Sequence, residues 1–234
     1  MENQPLKELV EKIQQIASKG WVKSLRSGDT GIGYTLETLL GISANSNRAP
    51  DFKGIEIKSH RLGKAGRITL FSKTPDWSNY SRVQLLDEHG SVDKNGRWSI
   101  YTSIYGDHES SSGWKLEHYK NEERLYVTRN GVKVIFWPDS VIKEALENKH
   151  KKSLFVYAER RGSKETEEFK YVKATYAENS SYDKLVELIL GGKVCHDFAI
   201  HRKKDGSVRD HGFLFRINAE NVTDIFESKK EFSF

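Results

Sequence analysis

Cysteine is nearly missing from this 234-residue sequence: the single thiol, Cys195, excludes an intramolecular disulfide and a thiolate-rich zinc site. Long apolar runs are missing too. No stretch approaches the roughly 20 apolar residues that span a bilayer, and the segment from Pro5 to Gly20 is broken by Lys7, Glu8, Glu11 and Lys12, so it does not read as a signal peptide. These absences predict a cytoplasmic protein with no membrane partner. The eight histidines show no HExxH-type spacing, and no hydroxyl residue has a histidine and an acid arranged for covalent catalysis. There is no internal repeat and no low-complexity linker, so the sequence marks no sharp domain boundary.

What is present describes a folded, well-hydrated chain. Apolar residues make up 36%, charged residues 30% and aromatics 11%, with a mean hydropathy of −0.68, which supports a real core and argues against disorder. This length fits one α/β domain with insertions, or two closely joined lobes around a cleft. The net charge of +5 and pI of about 9.0 suit phosphate backbones but are equally common in proteins that bind nothing anionic. Two basic runs, Lys149 to Lys152 and His201-Arg202-Lys203-Lys204, also read as solvated loops.

Leu6, Leu9, Val10, Ile13 and Ile16 recur at helical spacing, predicting an amphipathic helix over 5–18 closed by Gly20. A second short helix is expected after the Gly31-Ile32-Gly33 turn, with Glu37 in its middle. From Pro50 the period becomes two, and an apolar burst follows at Ile68 to Phe71. Further strands are expected at Trp98–Ile104, Arg124–Arg129, Val132–Trp137, Leu154–Ala158, Phe169–Thr175, Val194–His201 and Phe213–Ile217, with Asn130-Gly131 as a hairpin turn. Helices are expected at Ser140–Lys149, Ser181–Leu190 and Ala219–Glu227. The polar, aromatic segment from Asp76 to Trp114 reads as an insertion or a separate lobe. Aromatic residues at strand spacing are assigned to the core, not to base stacking.

The informative stretch is Pro50-Asp51-Phe52-Lys53-Gly54-Ile55-Glu56-Ile57-Lys58. Alternation sends Ile55 and Ile57 into the core and projects Glu56 and Lys58 from the other face, toward which Asp51 can turn. Two neighbouring carboxylates with a carbonyl and waters suit a hard cation such as Mg²⁺, for which Mn²⁺ can substitute. Such an ion polarises a phosphate and acidifies a bound water, while the Lys58 ammonium orients that water or offsets developing charge. Glu37 can supply another acid, and His60, of the same strand parity, can approach a phosphate. The same spacing also fits an exposed strand carrying Glu56 and Lys58 as a solvated ion pair, with His60 at its wet end.

Residues 194 to 217 form a second constellation. Arginine donates twice to guanine, aspartate accepts from the cytosine amino group and histidine does either, so Arg209, Asp210, His211 and Arg216 suit readout of G·C pairs. Arg202, Lys203 and Lys204 suit phosphate contacts. An ordinary hairpin with charged edges fits the same residues.

The run from Gly31 to Leu40, then Ala49-Pro50-Asp51-Phe52 and Gly54-Ile55-Glu56-Ile57-Lys58, closely resembles the opening half of the MvaI and BcnI restriction endonucleases. It is similar, more remotely, to the mismatch-repair nicking enzyme MutH. The likeness continues at Thr69 to Pro75 and at Asp210-His211-Gly212 with Arg216-Ile217, while residues 76 to 180 match loosely.

The resemblance implies an α/β fold of the PD-(D/E)XK type, a mixed central sheet flanked by helices with an inserted DNA-gripping lobe. It implies a single endonuclease domain over 1–234, with a catalytic lobe including 1–75 and a base-reading lobe including about 180–220. It further implies Mg²⁺-dependent cleavage of both strands of double-stranded DNA within a short CC-N-GG type site, in a prokaryotic restriction system with a cognate methyltransferase but no stable complex with it. Asp51, Glu56 and Lys58 take the catalytic positions, Glu37 matches a helix-borne acid and Asp197 an acidic base-contact position. The chain departs from these relatives at Arg209, where they carry histidine, which leaves the central base pair open. One active-site set, no heptad and no apolar dimer stripe lead us to expect a monomer that cuts the strands in sequence. The alternatives are a MutH-like nickase and a sequence-specific DNA-binding protein with a defunct site; the intact acid, acid, lysine set argues against the latter.

Overall fold

Residues 4–42, 50–63, 65–76 and 80–234 are described by a computed structural model; Ala49 and residues 77–79, which fall within stretches discussed above, lie outside them. In chain order the elements are α1 (Gln4–Ala17), β1 (Val22–Lys23), α2 (Gly31–Leu39), β2 (Glu56–Arg61), β3 (Arg67–Ser72), α3 (Arg82–His89), β4 (Ser91–Val92) and β5 (Trp98–Ile104). They continue with β6 (Trp114–Tyr119), β7 (Arg124–Arg129), β8 (Val132–Pro138), α4 (Asp139–His150), β9 (Lys152–Arg161), β10 (Glu168–Ser180) and α5 (Tyr182–Leu190). The last are β11 (Val194–Arg202), β12 (Val208–Asp210), β13 (Leu214–Asn218) and β14 (Phe226–Ser233). The chain divides into two compact units, one formed by 1–66, 147–180 and 226–234 and the other by 67–146 and 181–225. The first division falls at residue 66, ahead of residue 75.

The first unit is a mixed sheet with helices on it. Strands run in the order β1-β10-β9-β2, with β14 also on β10; β2 and β9 are parallel and the other pairs antiparallel. The apolar stripe of α1, Leu6, Leu9, Ile13 and Ile16, packs with Ile32 and Leu36 of α2 onto Ile57 of β2, Leu154, Val156 and Ala158 of β9 and Phe169 and Tyr171 of β10. The helix stripe has period 3.6 and the strand stripe period two, so each element offers one greasy face to the same core. α2 starts at Gly31 itself, so the glycines form its first turn and do not precede it.

The second unit holds an antiparallel six-stranded sheet, β3-β13-β11-β5-β4 with β12 on β11, and a three-stranded sheet β6-β7-β8. The segment from Asp76 to Trp114 supplies α3, β4 and β5 to this unit. Asn130 and Gly131, both at positive φ (49 and 75), join β7 to β8 with Arg129 opposite Val132, the backbone that a two-residue hairpin requires. Ala219–Glu227, expected as an α-helix, is instead a 3₁₀ turn over Ala219–Ile225 followed by β14. Its buried residues Ala219, Val222 and Ile225 recur every third position, which is the 3₁₀ period, and Asn221, Thr223 and Asp224 are weak α-helix formers.

Candidate active site

The acidic residues of the first unit are brought together by a tight turn. Phe52 and Ile55 exchange backbone hydrogen bonds of 3.0 and 2.8 Å, and Lys53 and Gly54 between them both sit at positive φ, 45 and 85. The turn folds Asp51 back beside β2, where its Oδ2 accepts the Ile57 N–H at 2.9 Å. A Gly54 substitution would strain this reversal.

Glu56 opens β2 and is 0% exposed. That burial removes the solvated-pair reading, since a carboxylate on a wet strand edge stays hydrated. Lys58 donates to its Oε1, and Lys149, from the last turn of α4, places its ammonium 2.8 Å from Oε2, an oxygen that accepts no hydrogen bond of good geometry. Burial, then the Glu56 charge, raises the Asp51 carboxyl above its ordinary pKa against the Ile57 hydrogen bond and the lysines. Glu37 is raised by burial and next by Asp51. Asp51 and Glu37 therefore each feel a neighbouring carboxylate charge, with Lys58 opposing it at both and Lys149 at Asp51. Among the described residues no three His, Cys, Asp or Glu side chains gather into a metal cage. His60 lies further along β2, partly exposed. Lys149 went unread as a site residue; its only sequence signal was its place at the head of a basic run.

The loop ahead of α2 is tied down from beneath. Arg61, at the end of β2, donates to both carboxylate oxygens of Glu167 at 2.8 and 2.9 Å and to the carbonyls of Gly28 and Asp29 at 2.9 and 3.0 Å. Both side chains are buried, and the pair serves as a structural charge network that ties this loop to β2.

In the second unit, β11 presents Asp197 and His201 on one face while His196, Phe198 and Ile200 enter the core on the other. Asp197 accepts from Ser103 at 2.6 Å, Arg67 at 3.1 Å and Arg216 at 2.9 Å. Burial pushes its carboxyl up, but the Ser103 and Arg216 hydrogen bonds and the two guanidinium charges overcome this and leave it below its usual value. Arg209 and His211 line a separate pocket of ≈ 680 Å³ with Arg97, Tyr101 and His201; the Tyr101 hydroxyl contacts His201 at 2.9 Å and His211 at 3.4 Å.

The distal residues therefore do not form one cluster. Arg216 lies opposite Cys195 and Arg209 opposite His201 along β11, a separation of about 20 Å at the strand rise. Asp210 is paired with Arg82 at 2.6 Å and Arg202 with Asp87, while Lys203 and Lys204 are exposed in the β11–β12 turn. Arg67, Ser103, Tyr101 and Arg97 were not read from the sequence, because only sheet pairing brings them to Asp197 and His201.

The MvaI/BcnI restriction endonuclease family model matches residues 10–226. This chain belongs to that family. No curated protein sequence matches it. Two solved structures cover 99% of it at 28% identity: the restriction endonuclease MvaI in complex with its cognate DNA substrate, with a TM-score of 0.83 over 99% of that chain, and MvaI in the absence of DNA, with a TM-score of 0.62 over 98%. The MvaI/BcnI assignment agrees with the resemblance carried by the Gly31–Leu40 and Pro50–Lys58 runs, and the mixed α/β architecture agrees with the MvaI fold.

Proposed function

We propose that this MvaI/BcnI chain is a Mg²⁺-dependent type II endonuclease of the PD-(D/E)XK kind that hydrolyses both strands of double-stranded DNA at a short CC-N-GG type site, acting as a monomer that cuts the strands in sequence. The observation that carries the chemistry is the fully buried Glu56 side chain, paired with the Lys58 and Lys149 ammoniums, with Asp51 near enough to feel its charge. The ground for DNA as substrate is the family together with the MvaI complex with its cognate DNA.

The residues fit a magnesium ion. Mg²⁺ is bound by one or two carboxylates completed by waters and substrate phosphate, so Asp51 and Glu56 would suffice without a protein cage; the buried Glu56 Oε2 accepts no hydrogen bond and faces only the Lys149 ammonium. When bound, the ion supplies charge to the phosphate and acidifies its water, and Mn²⁺ can replace it. Asp51 keeps a fixed orientation through the Ile57 N–H. Lys58, 28% exposed at its side chain, reaches from Glu56 toward solvent, where its ammonium orients the attacking water and offsets charge on the phosphorane-like transition state. Lys149 fixes the position of the Glu56 Oε2 through its ion pair. In the second unit, Asp197 with Arg67 and Arg216, and Arg209 with His211, read base edges; Lys203 and Lys204 hold phosphates. Arg202 and Asp210 enter only if DNA displaces Asp87 and Arg82. A cognate methyltransferase protects the host DNA without a stable complex.

Supercoiled plasmid carrying CC-N-GG sites, incubated with Mg²⁺, tests the reading. Nicked circles that mature into linear fragments, and no cleavage in EDTA, are expected. Nicked circles that persist would favour a nickase, and unchanged plasmid would reject the proposal.

A further inference from the structure

A cavity of ≈ 290 Å³ in the first unit is lined by Glu37, Lys58 and Ser59 together with Arg26, Thr30 and Tyr34. Arg26 sits over the Tyr34 ring, its guanidinium carbon 3.8 Å from the ring centroid. Among the described residues its guanidinium makes no ion pair, although the side chain is exposed and its charge reaches Glu37.

The backbone beneath Arg26 is held from several directions. Ser24 Oγ donates to the Arg26 carbonyl at 2.7 Å, and the Leu25 N–H donates to the buried Thr35 hydroxyl at 3.0 Å. A Cβ on Gly31 would lie 2.3 Å from the Arg26 carbonyl oxygen, so the loop packs onto α2 because position 31 is glycine. Arg61 fixes Gly28 and Asp29 just beyond. Stacking on an aromatic face leaves the guanidinium edge and its N–H fork available, with little rotamer freedom left to lose on binding.

Resting on the nuclease reading above, we propose that Arg26, shelved on Tyr34, binds a backbone phosphate of the cut strand next to the scissile one. Arg26, stacked on Tyr34 and without an ion pair among the described residues, lines the same cavity as Lys58 and Glu37, and a nucleic-acid strand that lays one phosphate before Lys58 carries its neighbour into that cavity. Guanidinium and phosphate match as bidentate partners. A purely structural role for the Arg26 and Tyr34 stack predicts loss of stability on substitution; a phosphate contact predicts loss of one charge interaction with stability kept.

The test uses cognate duplexes in which single phosphates around the scissile bond are replaced by uncharged methylphosphonates, cleaved by the wild type, Arg26→Ala and Arg26→Lys. One replacement next to the scissile phosphate should lower wild-type kcat/KM about tenfold, the scale of one charged hydrogen-bond contact, and should leave Arg26→Ala unaffected. On unmodified duplex, Arg26→Ala should lose the same factor, reduce the salt slope of binding by about one and keep its unfolding midpoint, while Arg26→Lys recovers part of the rate. The inference is overturned if Arg26→Ala is as sensitive as the wild type to every replacement, or if its loss is matched by a lowered midpoint. Failure of the wild type to cut unmodified duplex in Mg²⁺ would overturn the nuclease reading instead, and this inference with it.

Discussion

His196 should make this protein acid-sensitive. It is fully buried on β11, ringed by Trp137 at 4.8 Å, Phe198 and Phe215 at 5.1 Å and Phe213 at 5.9 Å, and neither ring nitrogen has a hydrogen-bond partner. Burial depresses its pKa to about 3, with the nearby Asp197 charge opposing. A depressed histidine contributes stability that is complete above its unfolded pKa of about 6.5 and is lost as pH falls below it, because the unfolded chain takes up the proton first. From pH 7 to pH 5 the loss is about 1.5 pKa units at about 1.36 kcal/mol each, or about 2 kcal/mol. At a urea slope of about 2–3 kcal/mol/M the midpoint falls by about 0.7–1 M from this one residue.

His196→Leu and His196→Phe cannot titrate, so the wild-type loss between the two pH values should exceed theirs by that amount. Packing costs of the substitution cancel in this double difference, as they do not depend on pH. Urea unfolding of each of the three proteins at pH 7 and pH 5, followed by tryptophan fluorescence to which Trp137 contributes, gives the six midpoints required. Equal losses in wild type and variants, or an NMR titration of His196 near the ordinary histidine value, would refute the argument.

Replacing Asp51 by Asn or Lys58 by Ala should lower the cleavage rate by about 10²-fold or more while DNA affinity in Ca²⁺ stays near wild type; a fully active variant would remove that residue from the chemistry. Glu167→Leu leaves Arg61 buried without its partner and should cost about 3–5 kcal/mol, seen as a fall in Tm of about 6–20 °C; an unchanged Tm would show that Arg61 is satisfied without it. Arg209→His should change base preference at the centre of the site more than at its flanks when a randomised duplex library is digested and sequenced, whereas a uniform loss at all positions would assign Arg209 to the backbone.

Much of the first unit was readable because its core obeys two simple periods. Leu6 to Ile16 marked a helix and Ile55 with Ile57 marked the buried side of β2, which left Glu56 and Lys58 as the residues to explain. Alternation alone puts Glu56 on the wet side; it is buried and paired with Lys149 from α4, and no local pattern links positions 56 and 149. The Arg61 and Glu167 pair escaped notice for the same reason. α3 was overlooked although Ser81 and Gln84 form a capping box at its start, a signal visible in sequence. β14 was missed because Glu227, Lys229, Lys230 and Glu231 spoil any apolar alternation, as suits a strand that pairs on one side only. Sequence proximity groups Arg209 with Arg216, whereas hairpin register places Arg209 with His201 and Arg216 with Asp197.

The parallel pairing of β2 with β9 sets a kinetic condition on the enzyme. Glu56 lies opposite Ser153, so closing that contact means looping out nearly a hundred residues, an entropic cost of about 4 kcal/mol before any packing compensates. Such long-range parallel contacts form slowly. A nascent chain emerging from the ribosome can fold α1 and α2 early, yet it has neither Lys149 nor the β9 ladder until the later part has been made. Fragments released by premature termination before that point would carry the acidic residues without the frame that orients them, and the cell that makes this restriction enzyme would meet the assembled centre only in chains extended past β9.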